Sequence, residues 1–135
     1  METMRGLVSS ARVGHLATVR RDGRPHVVPI CFVLLGEHVY SAVDDKPKRH
    51  RRLQRLSNIA ATGTASLLVD EYDDDWSRLW WIRLDGWARL VDKTAEAEQA
   101  IRSLSDKYPQ YRDQPPPGPL LVVEVQRWVG WSATT

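Results

Sequence analysis

Residues 13 to 35 read VGHLATVRRDGRPHVVPICFVLL, two strand-like runs with an Asp-Gly pair between them. Such a pair between two β-prone runs favours a tight antiparallel hairpin, because glycine supplies the positive φ that the turn needs. The chain is therefore expected to begin in antiparallel β structure, with residues 26 to 35 as one continuous second strand. The "GEH" that follows makes another turn, into a third strand "VYSAV" over 39 to 43. A fourth strand is predicted over 64 to 72, "TASLLVDEY", and a long fifth over 79 to 92, "LWWIRLDGWARLVD", with Gly86 as a bulge or bend. The sixth, "LLVVEVQRWVGWSA", has Leu121, Val123, Val125 and Val129 on one side.

Two helical patterns interrupt these strands. Pro47 suits a first helical turn, and Leu53, Leu56, Ile59 and Ala60 recur at spacings of three and four. Asp92 or Thr94 can cap a second helix, whose Ala97, Ala100, Ile101, Leu104 and Tyr108 form one stripe closed by Pro109. Six strands with hairpins at the start and helices between point to a mainly β (α+β) fold. The expectation is a small six-stranded antiparallel barrel, one domain over residues 1–135.

Composition excludes several classes. A chain of 135 residues that is 42% hydrophobic and 27% charged is ordinary globular material. At that length it can bury roughly two thirds of its unfolded surface and should fold without staples. No apolar run approaches the ~20 residues of a membrane span, so no membrane is expected and a cytoplasmic location is. The lone Cys31 has no partner for a disulfide or a CxxC pair. His15, His26, His38 and His50 show no metal-ligand spacing, so no metal is expected. Six Trp stand against a single Phe, four of them at Trp76, Trp80, Trp81 and Trp87.

The segment from Asp44, "DDKPKRHRRLQR", holds six Lys or Arg between Lys46 and Arg55 with no acid among them. The chain as a whole carries only +2, so the remainder is net negative. A surface helix usually mixes Glu with Lys four residues apart, and this one does not. The cluster also stands where a helix begins, and free N–H groups with the helix dipole favour an anion there. Nucleic acid fits poorly, because the tryptophans lie away from the arginines and the rest of the chain would repel phosphates. A phosphorylated cofactor fits better, with cations at one end and an apolar, aromatic slot at the other. GxGxxG and GxxxxGK[ST] are both absent, so side chains would hold the phosphate.

Taken in order, "DGRPHVVPICF", "KPKRHRRLQRLSN", "SLLVDEYDDDWSRLWWIRLDGWARLV" and "VEVQRWVGWSA" resemble the pyridoxamine 5′-phosphate oxidase-like split β-barrel superfamily. Within it they are most similar to the actinobacterial branch of coenzyme F420-dependent flavin/deazaflavin oxidoreductases. The resemblance spans Ala11 to Ala133. It implies an FMN-binding-like split barrel, a homodimer and two cofactor sites at the interface. The ring is then expected against Val28, Pro29, Ile30, Ser41 and Ala42, with Lys46, Lys48, Arg49 and Arg52 facing the phosphate. Trp76 or Trp80 would line the substrate slot or the dimer seam, and no residue stands out as catalytic.

FMN needs two or three cations for its single phosphate, whereas F420 adds a phosphodiester and a glutamyl tail. Six cations favour F420. The function implied is hydride transfer between the deazaflavin and a small conjugated organic substrate, with an FMN-dependent oxidoreductase as second choice. A module that holds FMN, F420 or haem with little chemistry of its own needs the same slot, and the sequence does not separate the two.

Overall fold

The computed structural model describes residues 2–43, 54–117 and 119–134. Among them are helix α1 (Glu2–Ser10), strands β1 (Gly14–Val19), β2 (Pro25–Ile30), β3 (Val33–Leu35) and β4 (His38–Ala42), and helix α2 (Gln54–Thr62). There follow β5 (Thr64–Glu71), a 3-10 turn (Trp76–Arg78), β6 (Trp80–Val91), α3 (Ala95–Lys107), α4 (Pro109–Asp113) and β7 (Leu120–Ser132). No described helix is long and apolar enough to cross a membrane.

The expected hairpin forms at Asp22–Gly23. Gly23 takes φ 92°, the Asp22 carboxylate accepts from the Arg24 N–H at 3.1 Å, and Arg20 N–H donates to the Arg24 carbonyl at 2.8 Å. The strands make one antiparallel sheet in the order β2-β1-β5-β6-β7-β4-β3. This order dictates a roll. Strands β2 and β3 are opposite edges of the sheet, six strand spacings apart, or about 29 Å if the sheet were flat. Yet Ile30 and Val33 are consecutive ends of the two strands, and three residues of chain span at most about 10 Å. The sheet must curl until its edges nearly meet, leaving a barrel split between them.

That roll corrects the expected strand count: the described residues hold seven strands, because residues 26–35 do not form one strand. Cys31 and Phe32 cross the split, and their backbone groups lie outside any ladder, so they need other partners. Side chains supply them. Ser41 Oγ donates to the Cys31 carbonyl at 2.7 Å, Tyr108 Oη accepts from Phe32 N–H at 3.0 Å, and Lys107 Nζ donates to the Phe32 carbonyl at 2.9 Å.

Two apolar clusters hold the fold. Leu16, Phe32, Val39, Leu67, Leu84, Leu121 and Val123 are buried together inside the barrel, with Val8 of α1 closing one end. On the other side of β4 and β7, Tyr40, Leu120 and Val122 pack on Ala97, Ala100 and Leu104 of α3. Strand β7 is thus buried on both faces at its start. Thr94 caps α3 by accepting from Ala97 N–H at 3.1 Å, and Tyr108 ends it. Helices α1 and α4 have no counterpart in the sequence expectation.

The expected bulge at Gly86 is present as a register shift between Asp85 and Gly86 on the ladder to β7. Here glycine answers a close approach: a Cβ on Gly86 would lie 2.1 Å from the Glu124 carbonyl oxygen.

Candidate functional site

The split leaves β2 as an edge strand, so its outward-facing backbone groups have no ladder partner among the described residues. Beside that edge lies a groove of about 170 Å³. Pro29, Ile30 and Cys31 form one wall, Ser41 and Ala42 the other, and Val13, Arg55 and Tyr111 border it. Four residues expected at a cofactor ring, Pro29, Ile30, Ser41 and Ala42, are therefore brought together from two strands that are not neighbours in the sheet.

The others fall differently. Val28 turns toward the barrel interior and packs on the core. Lys46, Lys48, Arg49 and Arg52 lie outside the described residues. Trp76 projects from the 3-10 turn at 70% exposure and borders no part of this groove. Trp80 is half-buried against the core and lines a separate cavity next to α1. His26 is half-buried while its neighbour Val27 is exposed, and His26 Nδ1 is buried without a hydrogen-bond partner among the described residues.

Tyr111 and Val13 were not legible as site residues. Tyr111 comes from α4, a five-residue helix started by Pro109, too short to carry a periodic signal. Val13 precedes β1 and reads as an ordinary apolar residue. Its 50% exposure, visible only in the fold, is what marks it. Among the described residues no three His, Cys, Asp or Glu side chains gather as a metal site would need.

Two charged constellations fix the walls of the groove. Behind Ser41 and Ala42, Tyr40 Oη donates to Glu96 Oε2 at 2.7 Å. Arg89 grips Glu96 with two hydrogen bonds, at 3.0 and 2.8 Å, and Glu124 with one at 2.6 Å. The Arg89 and Tyr40 donors hold the Glu96 carboxyl down to about 2, and burial together with Glu96 pushes the Tyr40 phenol up. This network ties α3 to β4, β6 and β7 at the strand that carries Ser41.

Behind Cys31, Lys107 reaches the Phe32 carbonyl with its ammonium 4.1 Å from the Phe32 ring centroid, and Arg12 stacks on Tyr108 at 4.8 Å. Burial and the nearby Arg12 lower Lys107 to about 8. A lysine whose folded value lies below its unfolded 10.5 destabilises the fold while both states are protonated, below pH 8. Stability should rise from pH 8 toward pH 10. Above pH 10 the raised Tyr40 and Tyr108 act in the opposite sense, since their unfolded forms lose protons first. Urea unfolding at pH 7.5 and 9.5 is expected to show a gain in the wild type that Lys107→Met loses. Equal gains in both proteins would count against this placement of Lys107.

Comparison with known proteins defines the class. The chain belongs to the pyridoxamine 5'-phosphate oxidase family, whose model matches residues 1–132. The fold is likewise shared with solved structures. A conserved hypothetical protein from Mycobacterium tuberculosis superposes with a TM-score of 0.80 at 18% identity, covering 98% of this chain and 84% of its own. The heme storage protein HutZ from Vibrio cholerae gives 0.76 at 16% identity, covering 97% and 92%. An FAD-binding protein from Mesorhizobium loti gives 0.69 at 19% identity, covering 93% and 88%. No curated protein matches significantly.

Proposed function

We propose that this protein binds a phosphorylated flavin or deazaflavin in the groove at the split, coenzyme F420 foremost, and passes hydride between it and a small conjugated organic substrate. The observation that carries this reading is the position of the basic run. Ala42 and Arg55 both border the groove, and the six cations from Lys46 to Arg55 begin four residues after Ala42 and end on Arg55 itself. The run therefore joins, along the chain, two residues that border the groove.

The residues present fit such a group. The open edge of β2 offers backbone donors and acceptors to the rim of a flat heterocycle. Pro29, Ile30 and Val13 offer an apolar surface, and Ser41 Oγ retains acceptor capacity after donating to Cys31. The ring supplies the hydride chemistry when bound, and the chain's task is to position it and exclude water. Relatives of this fold whose names record FAD and heme binding support a cofactor role for the split, without choosing among cofactors.

A homodimer is part of this reading, and the size of the groove is what supports it. A groove of about 170 Å³ falls short of the ~300–1,000 Å³ that enclosed ligand sites occupy. A second copy would supply the missing wall.

The test is titration with F420, FMN and hemin at two salt concentrations. F420 should bind most tightly and weaken with salt. Lys48→Ala and Arg49→Ala should each raise its dissociation constant about tenfold, as expected for one charge-assisted contact. Unchanged affinity in both variants would return the basic run to a solvated helix face. The alternative, a holding module with little chemistry, is favoured if bound reduced F420 is not oxidised by an enone or quinone panel.

A further inference from the structure

The groove at the split has positive charge behind its wall as well as on its rim. None of the described residues that border it is acidic, and Arg55 stands at its edge. Lys107 leaves the last turn of α3 and reaches Phe32, 75 positions away in the chain. Its ammonium therefore sits at the carbonyl of the residue that follows Cys31, and Cys31 lines the groove.

A lysine at a helix C-terminus ordinarily serves the last carbonyls of its own helix. The described acceptor of Lys107 is instead the Phe32 carbonyl, and the rings of Phe32 and Tyr108 lie against its ammonium at 4.1 and 5.3 Å. No carboxylate pairs with it among the described residues. The charged and titratable groups that face it are Arg12, from the segment before β1, the Cys31 thiol, after β2, and the Tyr108 phenol, next to it in the chain. Its one neighbour of fixed charge is thus a further cation, and burial together with Arg12 already pulls Lys107 down to about 8. A half-buried cation without a counter-ion is costly, and an anion in the adjoining groove would relieve it.

We infer that the Cys31 end of the groove is a subsite for a negatively charged oxygen of the bound molecule, selected by the field of Lys107 and Arg12 through the wall. The subsite rests on the reading of the groove as a ligand site and deepens it. The occupant carries negative charge on its ring as well as on its phosphate tail, as a deprotonated ring imide or enolate does. Lys107 acts through its field and not by contact, because it does not border the groove itself. Such a field is screened less through protein than across open solvent.

Cys31 is the only cysteine of the chain and lines the groove, so its thiol can report the local charge. The probes are two aromatic disulfides, dithiobis(nitrobenzoate), which carries two carboxylates, and dithiodipyridine, which is neutral. The same thiolate attacks both, so the ratio of their rates cancels the thiolate fraction and leaves the preference for negative charge. Lys107→Gln keeps an N–H donor for Phe32 and removes the charge. At pH 7 and low salt it should lower the anionic-to-neutral ratio about fivefold, an effect that shrinks with added salt, whereas Lys107→Arg should keep the ratio. In the wild type the ratio should fall between pH 7 and pH 9 as Lys107 loses its proton, and in Lys107→Arg it should not. Equal ratios in wild type and Lys107→Gln would overturn the inference. So would a thiol that neither reagent reaches, because that end of the groove would then be closed to any occupant. No cofactor enters the measurement. Failure of F420 to bind would therefore count against the cofactor reading, and an unchanged ratio against the subsite alone.

Discussion

Gly86→Ala is expected to lower the stability of this protein by about 3 kcal/mol or more, beyond the usual range for overpacking. The added methyl would sit 2.1 Å from the Glu124 carbonyl oxygen and 2.8 Å from its carbon, and both are backbone atoms. Relief would require β7 to move. Glu124 is held on both sides, paired with His38 of β4 and with Trp87 of β6, and its side chain is gripped by Arg89. A shift there would break the ladders that join both halves of the sheet. Against a total of about 5–15 kcal/mol for a domain of this size, the loss should be plain in urea unfolding. Gly6→Ala is the control: the added methyl meets nothing within 4 Å on α1, and helix propensity predicts a small gain. If Gly86→Ala unfolds at the wild-type midpoint, the close approach of β6 and β7 is not as described.

This bulge was legible because a glycine inside a long β-prone run is anomalous, and the fold supplies its reason. The Asp-Gly hairpin and the Thr94 cap were legible for the same kind of cause: each is a local device with a local signature. The break at Cys31–Phe32 was not. Nothing in "PICFVLL" signals a stop, because the interruption is imposed by topology, and the compensating groups, Ser41, Lys107 and Tyr108, lie far along the chain. The same holds for the groove. Pro29 and Ser41 could be grouped only through a family resemblance, and Tyr111 or Val13 by nothing local at all. The acidic segment was conspicuous in the sequence, yet its meaning depended on whether it faced the groove. Of its five acids, Asp70 and Glu71 border the cavity beside Trp80, and none borders the groove.

Trp87→Glu is expected to dissociate a homodimer and, with it, to lose most cofactor affinity. The outer face of β2, β1, β5 and β6 presents Val27 at 60% exposure, Trp87 at 59% and Val19 at 37%. Between Ala17, Val19, Pro25 and Trp87 lies an apolar hollow of about 390 Å³. Large apolar side chains grouped on one sheet face, around a hollow able to receive another, are the anatomy of an association surface. In a two-fold dimer each substitution is made twice, and a buried tryptophan at an interface contributes on the order of 2 kcal/mol or more. Two copies therefore predict roughly a thousandfold weaker dimer. Because Trp87 is already exposed in the single chain, the variant should melt as a well-folded monomer. Sedimentation at micromolar concentration reads the first effect and F420 titration reads the second. A wild type that sediments as a monomer would remove the dimer. A monomeric variant that binds F420 as tightly as the wild type would keep the dimer but show that one chain completes the groove by itself.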